Sequence, residues 1–139
     1  MLSPMNGQRA PIRSYRDLEV WQRAMDLVVD CYAATKAFPA EERYGLTAQI
    51  RRSVVSVPSN IAEGRGRQGV GGFLYHLSVA YGSLMELDTQ LQISARLHYL
   101  GADIAERLLD RVGEVRRLLS GLLRALRARR RTHPTADTR

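Results

Sequence analysis

The chain has few of the side chains that usually carry redox or nucleophilic chemistry: its 139 residues include one cysteine, three histidines and one lysine. A single cysteine excludes an intramolecular disulfide, and because Cys31 lies within an apolar helical pattern we expect it to be a small buried hydrophobe. Long apolar runs are also absent, and without about 18 consecutive apolar residues the sequence predicts no membrane-spanning helix. Residues 1–13 lack the apolar segment of a secretory signal and are interpreted as a flexible leader. These features favour a cytoplasmic protein.

The sequence lacks the residue spacings that are typical of metal sites and catalytic sites. His76, His98 and His133 are far apart in sequence, and the chain contains no H-x-x-x-H or E-x-x-H pair of a helical metal site. Residues 64–69 match the glycine spacing of a dinucleotide-binding loop, but they follow a predicted helix rather than a strand. The sequence therefore predicts no enzymatic activity, no metal and no cofactor.

Apolar residues recur at helical spacing in four segments, residues 15–36, 42–63, 72–99 and 102–130. Ser14, with Asp17 three residues later, has the spacing of a capping box at the start of the first segment. Five glycines between positions 64 and 72 predict the main turn of the chain. Long helices with short connections predict an all-α fold, an antiparallel up-and-down four-helix bundle over residues 14–131. Residues 132–139 are expected to form a disordered basic tail.

Each predicted helix has an apolar face that we expect to form the core. In the third helix this face has the spacing of a heptad seam: Phe73, Leu77, Ala80, Leu84, Leu87 and Leu91. In the second helix it comprises Ile50, Val54, Val57 and Ile61. In the first helix it comprises Leu18, Trp21, Met25, Val28 and Tyr32. In the fourth helix it comprises Ile104, Leu108, Val115, Leu118, Leu122 and Leu126.

The second helix contains a proline and ends near a glycine. Pro58 has no N–H group and its ring clashes with the preceding turn, at a cost of about 3 kcal/mol in a helix interior. We therefore expect Pro58 to kink this helix and to free the carbonyl group of Val54. Gly64 is expected to end the helix as a C-cap in the left-handed conformation.

Five segments of the chain, in order, resemble the motifs of a known family: LEVWQRA at 18–24, FP at 38–39, YGLTAQIRR at 44–52, SVPSNIAEG at 56–64 and GSLMELDTQL at 82–91. Together they are similar to the 23S rRNA intervening-sequence proteins, which are bacterial four-helix bundles. These proteins are related to the accessory variability protein of diversity-generating retroelements. The resemblance covers about residues 15–100, whereas residues 70–72 and the arginine-rich C-terminus depart from the family pattern.

The resemblance implies an assembly and a set of partners rather than a reaction. Some members of the family are encoded within insertions in 23S rRNA genes. The retroelement relative forms a pentameric barrel that binds nucleic acid and a reverse transcriptase. The resemblance therefore implies a homo-oligomer, with a pentamer favoured, whose partners are RNA, DNA or a reverse transcriptase.

Positive charge is concentrated near the C-terminus. The formal net charge is +7, and residues 1–106 are balanced, so residues 107–139 carry the whole excess. Residues 116–131 contain seven arginines and no acidic residue, a pattern that favours binding to polyanions. The candidate nucleic-acid-binding residues are Arg65, Arg67, Arg116, Arg117, Arg124, Arg127, Arg130 and Arg131. Only Tyr99 is an aromatic residue close to this segment in sequence, so base stacking is not indicated.

The arginines between the second and third helices have two interpretations. Arg65 and Arg67 flank Gly66, and exposed backbone N–H groups in such a loop can bind a phosphate together with the guanidinium groups. Alternatively, the two cations lie near a helix C-terminus, where the helix dipole favours positive charge.

Polar residues on the second and third helices form a further candidate site. In an antiparallel hairpin these residues face one another, and we hypothesise that they form a hydrogen-bonded network: Gln49, Arg52, Ser53, Asn60, Ser83, Glu86 and Gln90. The favoured interpretation is that the network determines helix register or a subunit contact, because unsatisfied buried groups cost about 1–3 kcal/mol each. A ligand site built from the same residues is the alternative.

Two functions are consistent with these patterns. The first is a non-catalytic oligomeric bundle that binds nucleic acid, or acts as a ribonucleoprotein accessory protein, with low sequence specificity. The alternative is a structural oligomerisation scaffold that binds a protein partner without affinity for nucleic acid. In that case Trp21, Tyr32, Tyr75 and Tyr81 would serve packing and subunit contact. The two functions differ in whether RNA or DNA is bound and whether salt weakens the binding.

Overall fold

Four α-helices account for most of residues 13–132, the part of the chain that the computed structural model describes. They are α1 (Glu19–Thr35), α2 (Leu46–Arg65), α3 (Val70–Arg96) and α4 (Ala102–Thr132). Two short 3₁₀ turns, Tyr15–Asp17 and Ala40–Glu42, precede α1 and α2. Most of the predicted leader and of the predicted basic tail, including His133, lies outside the described residues.

The helices pack as an antiparallel bundle in which each helix contacts two neighbours. On α2 and α3, Ser56 lies opposite Ser83, whereas Asn60 lies opposite His76, so the two helices run in opposite directions. The predicted all-α fold is confirmed, and the helix contacts support the four-helix bundle. Because successive helices alternate in direction, the α2–α3 connection and the last turn of α4 lie at the same end of the bundle.

The predicted core faces of α2 and α3 are confirmed. Ile50, Val54, Val57 and Ile61 of α2 are completely buried. The same is true of the α3 residues Leu77, Ala80, Leu84, Leu87 and Leu91, whereas Phe73 packs partly buried against the core. Regular heptad-like spacing on both helices leaves one continuous apolar stripe, which is why the sequence identifies these faces correctly.

The buried face of α1 differs from the predicted one. Its buried residues are Val20, Ala24, Leu27, Cys31 and Thr35. Met25 and Tyr32, which were expected in the core, are 40% and 38% exposed. Because α1 is apolar over a wide arc, two neighbouring stripes satisfy helical periodicity, and the stripe with small Ala24 and Cys31 allows the closer approach to the bundle.

The buried face of α4 is also rotated relative to the predicted one. Leu108, Val115 and Leu126 are buried as expected, but Ile104 is 39% exposed. The remaining buried residues are Ala105, Val112, Leu119 and Leu123, and Leu118 and Leu122 pack at the edge of the core. The leucine-rich sequence of α4 offers several overlapping stripes, so packing against α1 and α3 selects among them.

Gly64 is not the C-cap of α2, which corrects the prediction. The helix continues through Gly64 to Arg65, and Gly66 follows with a φ of −79°, outside the left-handed region. Gly64 is buried where α2 approaches α3, and a Cβ atom at this position would lie 2.7 Å from the Cβ of His76. Its role is therefore to allow close helix contact. Pro58 is buried inside α2, and the kink it is expected to cause stays a prediction.

The boundaries of the helices are determined by local hydrogen bonds. Ser14 and Asp17 form the predicted capping box, but it caps the Tyr15–Asp17 turn rather than α1 itself. After α3, the N–H of Tyr99 donates to the carbonyl of Ser94 at 2.9 Å and the N–H of His98 donates to that of Ala95 at 3.0 Å. This is a Schellman motif in which His98, with a φ of 64°, occupies the left-handed position that glycine usually takes.

Candidate nucleic-acid interface

A groove between α3 and α4 brings two of the candidate arginines together. Arg124 and Arg127 are three residues apart on α4, so their side chains lie on the same side of that helix. We call this surface the α3–α4 groove and define it by its lining residues, Ser78, Tyr81, Ser120, Leu123, Arg124 and Arg127. Its volume is about 340 Å³, and no acidic residue lines it.

The side chains of the α3–α4 groove are hydrogen-bond donors suited to an anion. Arg124 and Arg127 are exposed, and within residues 13–132 neither guanidinium group forms an ion pair. Planar guanidinium groups can each donate two parallel hydrogen bonds to a phosphate, and hydroxyl groups can add single ones. The groove can therefore bind a phosphate group with charge-assisted hydrogen bonds.

The last turns of α4 extend this positive surface. Arg129, Arg130 and Arg131 are exposed, and no acidic residue occurs between Arg116 and the end of α4. Positive side chains at a helix C-terminus interact favourably with the helix dipole, which accounts for part of their placement. The surface nevertheless places several arginines close together along the last turns of α4.

The loop arginines differ in their surroundings. Arg67 forms an ion pair with Glu63, with Nη2 and Oε2 separated by 2.8 Å. Arg65 is half-buried as the last residue of α2, and it has no acidic partner within the described part of the chain. The two arginines therefore do not form a pair of unneutralised cations, and the positive charge of this loop is weaker than its sequence suggests.

The two arginines in the middle of α4 have different surroundings. Arg117 lines a groove between α1 and α4 together with both acidic and basic residues: Arg23, Asp26, Asp110, Arg111 and Glu114. Arg23 pairs with Glu114 at 3.2 Å, and Arg111 pairs with Asp30. Arg116 is half-buried and does not line this groove. It precedes Ser120 and Arg127 by four and eleven residues, so the helical repeat places it on the face of α4 that lines the α3–α4 groove.

Both the sequence and the fold of this chain are similar to those of known proteins. The family model of the 23S rRNA-intervening sequence protein matches residues 16–121. The chain belongs to this family. A protein of unknown function from the S23 ribosomal protein family of Bacteroides thetaiotaomicron has a similar structure, with a TM-score of 0.71 and 23% identity. The match covers 76% of this chain and 95% of that chain, and at this identity it shows the fold alone. None of the curated proteins compared with the chain matches it.

In this member of the 23S rRNA-intervening sequence protein family, the predicted polar residues gather in a second groove, between α2 and α3. The groove has a volume of about 300 Å³ and is lined by Gln49, Arg52, Ser53, Ser56, Ser83, Glu86 and Gln90. Asn60 does not line this groove and lies one turn beyond Ser56. The structure therefore brings six of the seven predicted network residues together.

The hydrogen bonds between α2 and α3 follow a shorter path than the predicted network. The hydroxyl groups of Ser56 and Ser83 are 2.8 Å apart, and Nδ2 of Asn60 donates to the carbonyl and hydroxyl oxygens of Ser56 at 2.9 and 3.0 Å. Oδ1 of Asn60 lies 3.1 Å from Nδ1 of His76. Ser56 and His76 were missing from the prediction, although Ser56 precedes Asn60 by four residues, the spacing of neighbours on one helix face.

The remaining predicted network residues are not joined by hydrogen bonds. Within residues 13–132, the side chains of Gln49, Arg52 and Glu86 have no hydrogen-bonding or ion-pair partner. Gln90 is 6% exposed, and its Oε1 is buried without a hydrogen-bond partner. These side chains therefore surround a polar groove rather than forming a closed network.

Within residues 13–132 no helix is long and apolar enough to cross a membrane. In the same range, no three histidine, cysteine, aspartate or glutamate side chains are close enough to hold a metal ion together. Cys31 is completely buried, and loss of solvation, together with the nearby charge of Asp30, raises its pKa to about 12.

Proposed function

We propose that this chain is a non-catalytic oligomeric four-helix bundle that binds RNA or DNA through the phosphate backbone with low sequence specificity. The observation that carries this proposal is the pair of arginines in the α3–α4 groove, which no acidic side chain lines, together with the further arginines in the last turns of α4. Phosphate contacts position a protein on nucleic acid but carry no direct sequence information. Arginines that contact phosphates also release counterions, so the affinity would fall as salt rises.

The proposed binding is tested by fluorescence anisotropy with RNA and DNA oligonucleotides of unrelated sequence, titrated at several salt concentrations. The wild-type protein is expected to bind all of them with similar affinity, which falls steeply between about 50 and 200 mM salt. A variant with Arg124, Arg127, Arg129, Arg130 and Arg131 replaced by glutamine is expected to lose most of this affinity. Unchanged, salt-insensitive binding by that folded variant would contradict the proposal.

A second candidate function, a structural scaffold for a protein partner, is favoured by an apolar surface on α1 and α2. Two adjoining shallow grooves share Val28 and Val55 and together include Trp21, Met25 and Tyr32. Val29, at the same surface, is 66% exposed. Contiguous exposed apolar surface of this kind is typical of protein–protein contacts.

Light scattering of purified protein, before and after nuclease treatment, separates the two functions. A homo-oligomer that retains nucleic acid until the nuclease treatment supports nucleic-acid binding, and an oligomer without bound nucleic acid supports the scaffold. The resemblance to the retroelement protein favours five subunits and adds a reverse transcriptase to the proposed partners. Whether the gene lies within an rRNA operon or beside a reverse transcriptase gene tests that part of the proposal.

A further inference from the structure

We propose that the α3–α4 groove binds one nucleotide of a single-stranded nucleic acid, with the phosphate at Arg124 and Arg127 and the base against the ring of Tyr81. This inference rests on the proposed nucleic-acid binding and assigns both the contacting residues and the single-stranded form of the ligand. Attraction to the nucleic-acid backbone needs only positive charge, whereas this inference requires binding in one specific groove.

The phosphate part of the proposal follows from the donors on both helices. Arg124 and Arg127 lie on α4 with no acidic side chain in the groove, and Ser78 and Ser120 add hydroxyl donors from α3 and α4. A phosphate oxygen accepts several hydrogen bonds at once, and guanidinium groups supply them in pairs. The bundle core holds the two helix backbones that carry these donors, whereas the exposed arginine side chains must be ordered when the phosphate binds.

The base part of the proposal follows from Tyr81. This half-buried residue lies one turn after Ser78 on α3 and lines the same groove as both arginines. In the sequence, Tyr81 and Arg124 are far apart, and the antiparallel packing of α3 against α4 brings them together. An aromatic ring can stack on an unpaired base of any identity, but not on a base enclosed in a duplex. A tyrosine beside a phosphate site therefore favours a single strand.

The size of the groove agrees with one nucleotide. A volume of about 340 Å³ lies near the lower end of the range of about 300–1,000 Å³ typical of small-molecule sites. The α1–α4 groove has a similar volume, but three acidic side chains balance its three arginines, so it offers a phosphate no net positive charge. Charge thus distinguishes the two grooves, and only the first combines arginines with an aromatic ring and hydroxyl groups.

The test measures binding of a fluorescent oligouridylate of about 12 nucleotides by anisotropy, with duplex RNA of the same length as a second probe. The double variant Arg124→Gln/Arg127→Gln is compared with Arg129→Gln/Arg131→Gln, which removes the same charge from the same helix outside the groove. We expect the groove variant to lose at least about tenfold more affinity for the oligouridylate than the control variant.

The contribution of Tyr81 is tested with Tyr81→Leu and Tyr81→Phe. Tyr81→Leu is expected to weaken binding of the single strand about five- to a hundredfold, while binding of the duplex stays unchanged. Tyr81→Phe keeps the ring and is expected to retain most of the affinity. Photo-crosslinking of the wild-type protein with a thiouridine-containing strand, followed by mass spectrometry, provides a readout that needs no variant. Crosslinks in the peptide that contains Tyr81 are expected.

The outcomes distinguish this inference from the broader function. If both arginine pairs reduce affinity equally and crosslinks fall only outside the groove, the groove assignment is overturned while backbone binding stands. If Tyr81→Leu weakens the single strand and the duplex equally, the stacking contact is overturned. If the wild-type protein binds neither probe at low salt, the proposed function fails together with the groove assignment.

Discussion

At the scale of single residues, Gly64 and Gly82 are both helical glycines in very different surroundings. A Cβ on Gly64 would lie 2.7 Å from the Cβ of His76 and 3.1 Å from a ring carbon of Phe73. A Cβ on Gly82 would meet no atom within 4 Å. Close helix packing therefore requires a glycine at position 64, whereas no atom of the described chain near position 82 requires one there.

Alanine substitution is expected to have opposite effects at the two glycines. Gly64→Ala should lower the free energy of unfolding by about 1–3 kcal/mol, because the backbone of α2 must move away from α3. Gly82→Ala should raise it by about 0.5–1 kcal/mol, because alanine has the higher helix propensity. Urea denaturation of both variants measures the difference. Stabilisation by Gly64→Ala would contradict the close contact assigned to this residue.

Cys31 provides a second prediction at this scale. With its pKa raised to about 12, only about one thiol in ten thousand is ionised at pH 8, and the side chain is completely buried. The native protein should therefore react very slowly with a thiol reagent at pH 8 and rapidly after unfolding. Because the unfolded thiol ionises at lower pH than the folded one, Cys31 should also make the fold less stable as pH rises from about 9 to 12. Rapid labelling of folded protein would contradict the assigned burial.

At the scale of helices, a short chain of part-buried hydrogen bonds joins α2 to α3. Asn60 is its central member, since its side chain bonds to Ser56 on α2 and to His76 on α3. Groups of this kind add little net stability when paired, but they are costly when one partner is removed. They also define which residues of the two helices lie opposite each other.

Asn60→Ala is expected to lower the free energy of unfolding by about 1–3 kcal/mol, because His76 and Ser56 lose a shared partner. Gln92→Ala is the matched control. Gln92, like Asn60, forms a side-chain hydrogen bond to the residue four positions earlier on its own helix, here Asp88, but Gln92 is exposed. That control is expected to change stability by less than about 0.5 kcal/mol. Thermal and urea denaturation measure the stability of both variants. Equal effects would show that the Asn60 contacts contribute nothing beyond an ordinary surface bond.

At the scale of the whole molecule, two surfaces with different chemistry lie on different helices. The apolar surface of α1 and α2 includes exposed Val29, and the arginine surface lies on α4 and its groove with α3. An oligomer that used the first surface for subunit contacts would repeat the second around the assembly. The positive field would then increase with subunit number, and with it the affinity for a long polyanion.

Val29→Glu is therefore expected to shift the protein toward smaller assemblies and to weaken binding to long nucleic acid more than to short oligonucleotides. Val29 is 66% exposed, so the charge should leave the fold of the single subunit intact. Ile104→Glu places the same charge at an exposed apolar residue of α4 and serves as the control. Light scattering measures the subunit number. An unchanged assembly in Val29→Glu would contradict a role of this surface in subunit contact.

The sequence by itself determined the architecture and the family. Helical periodicity, the glycine-rich turn and the cluster of arginines are local properties of the sequence. In α2 and in α3 the apolar residues form one regular stripe, so the sequence identifies a single face of each helix as the buried one. The five ordered motifs likewise required no structure to identify the family that the comparison confirms. The net positive charge of the C-terminal region is also a property of the sequence alone.

Only the tertiary structure decided which surfaces face one another. It selected the buried stripe of α1, because the wide apolar arc of that helix permits two stripes and only packing distinguishes them. It assigned Gly64 to a helix contact rather than a cap, because the neighbouring helix comes from a distant part of the chain. It placed Asp26 of α1 in one groove with Arg117, and Tyr81 of α3 in another with Arg124 and Arg127, since proximity across helices depends on register and rotation, which local sequence does not encode.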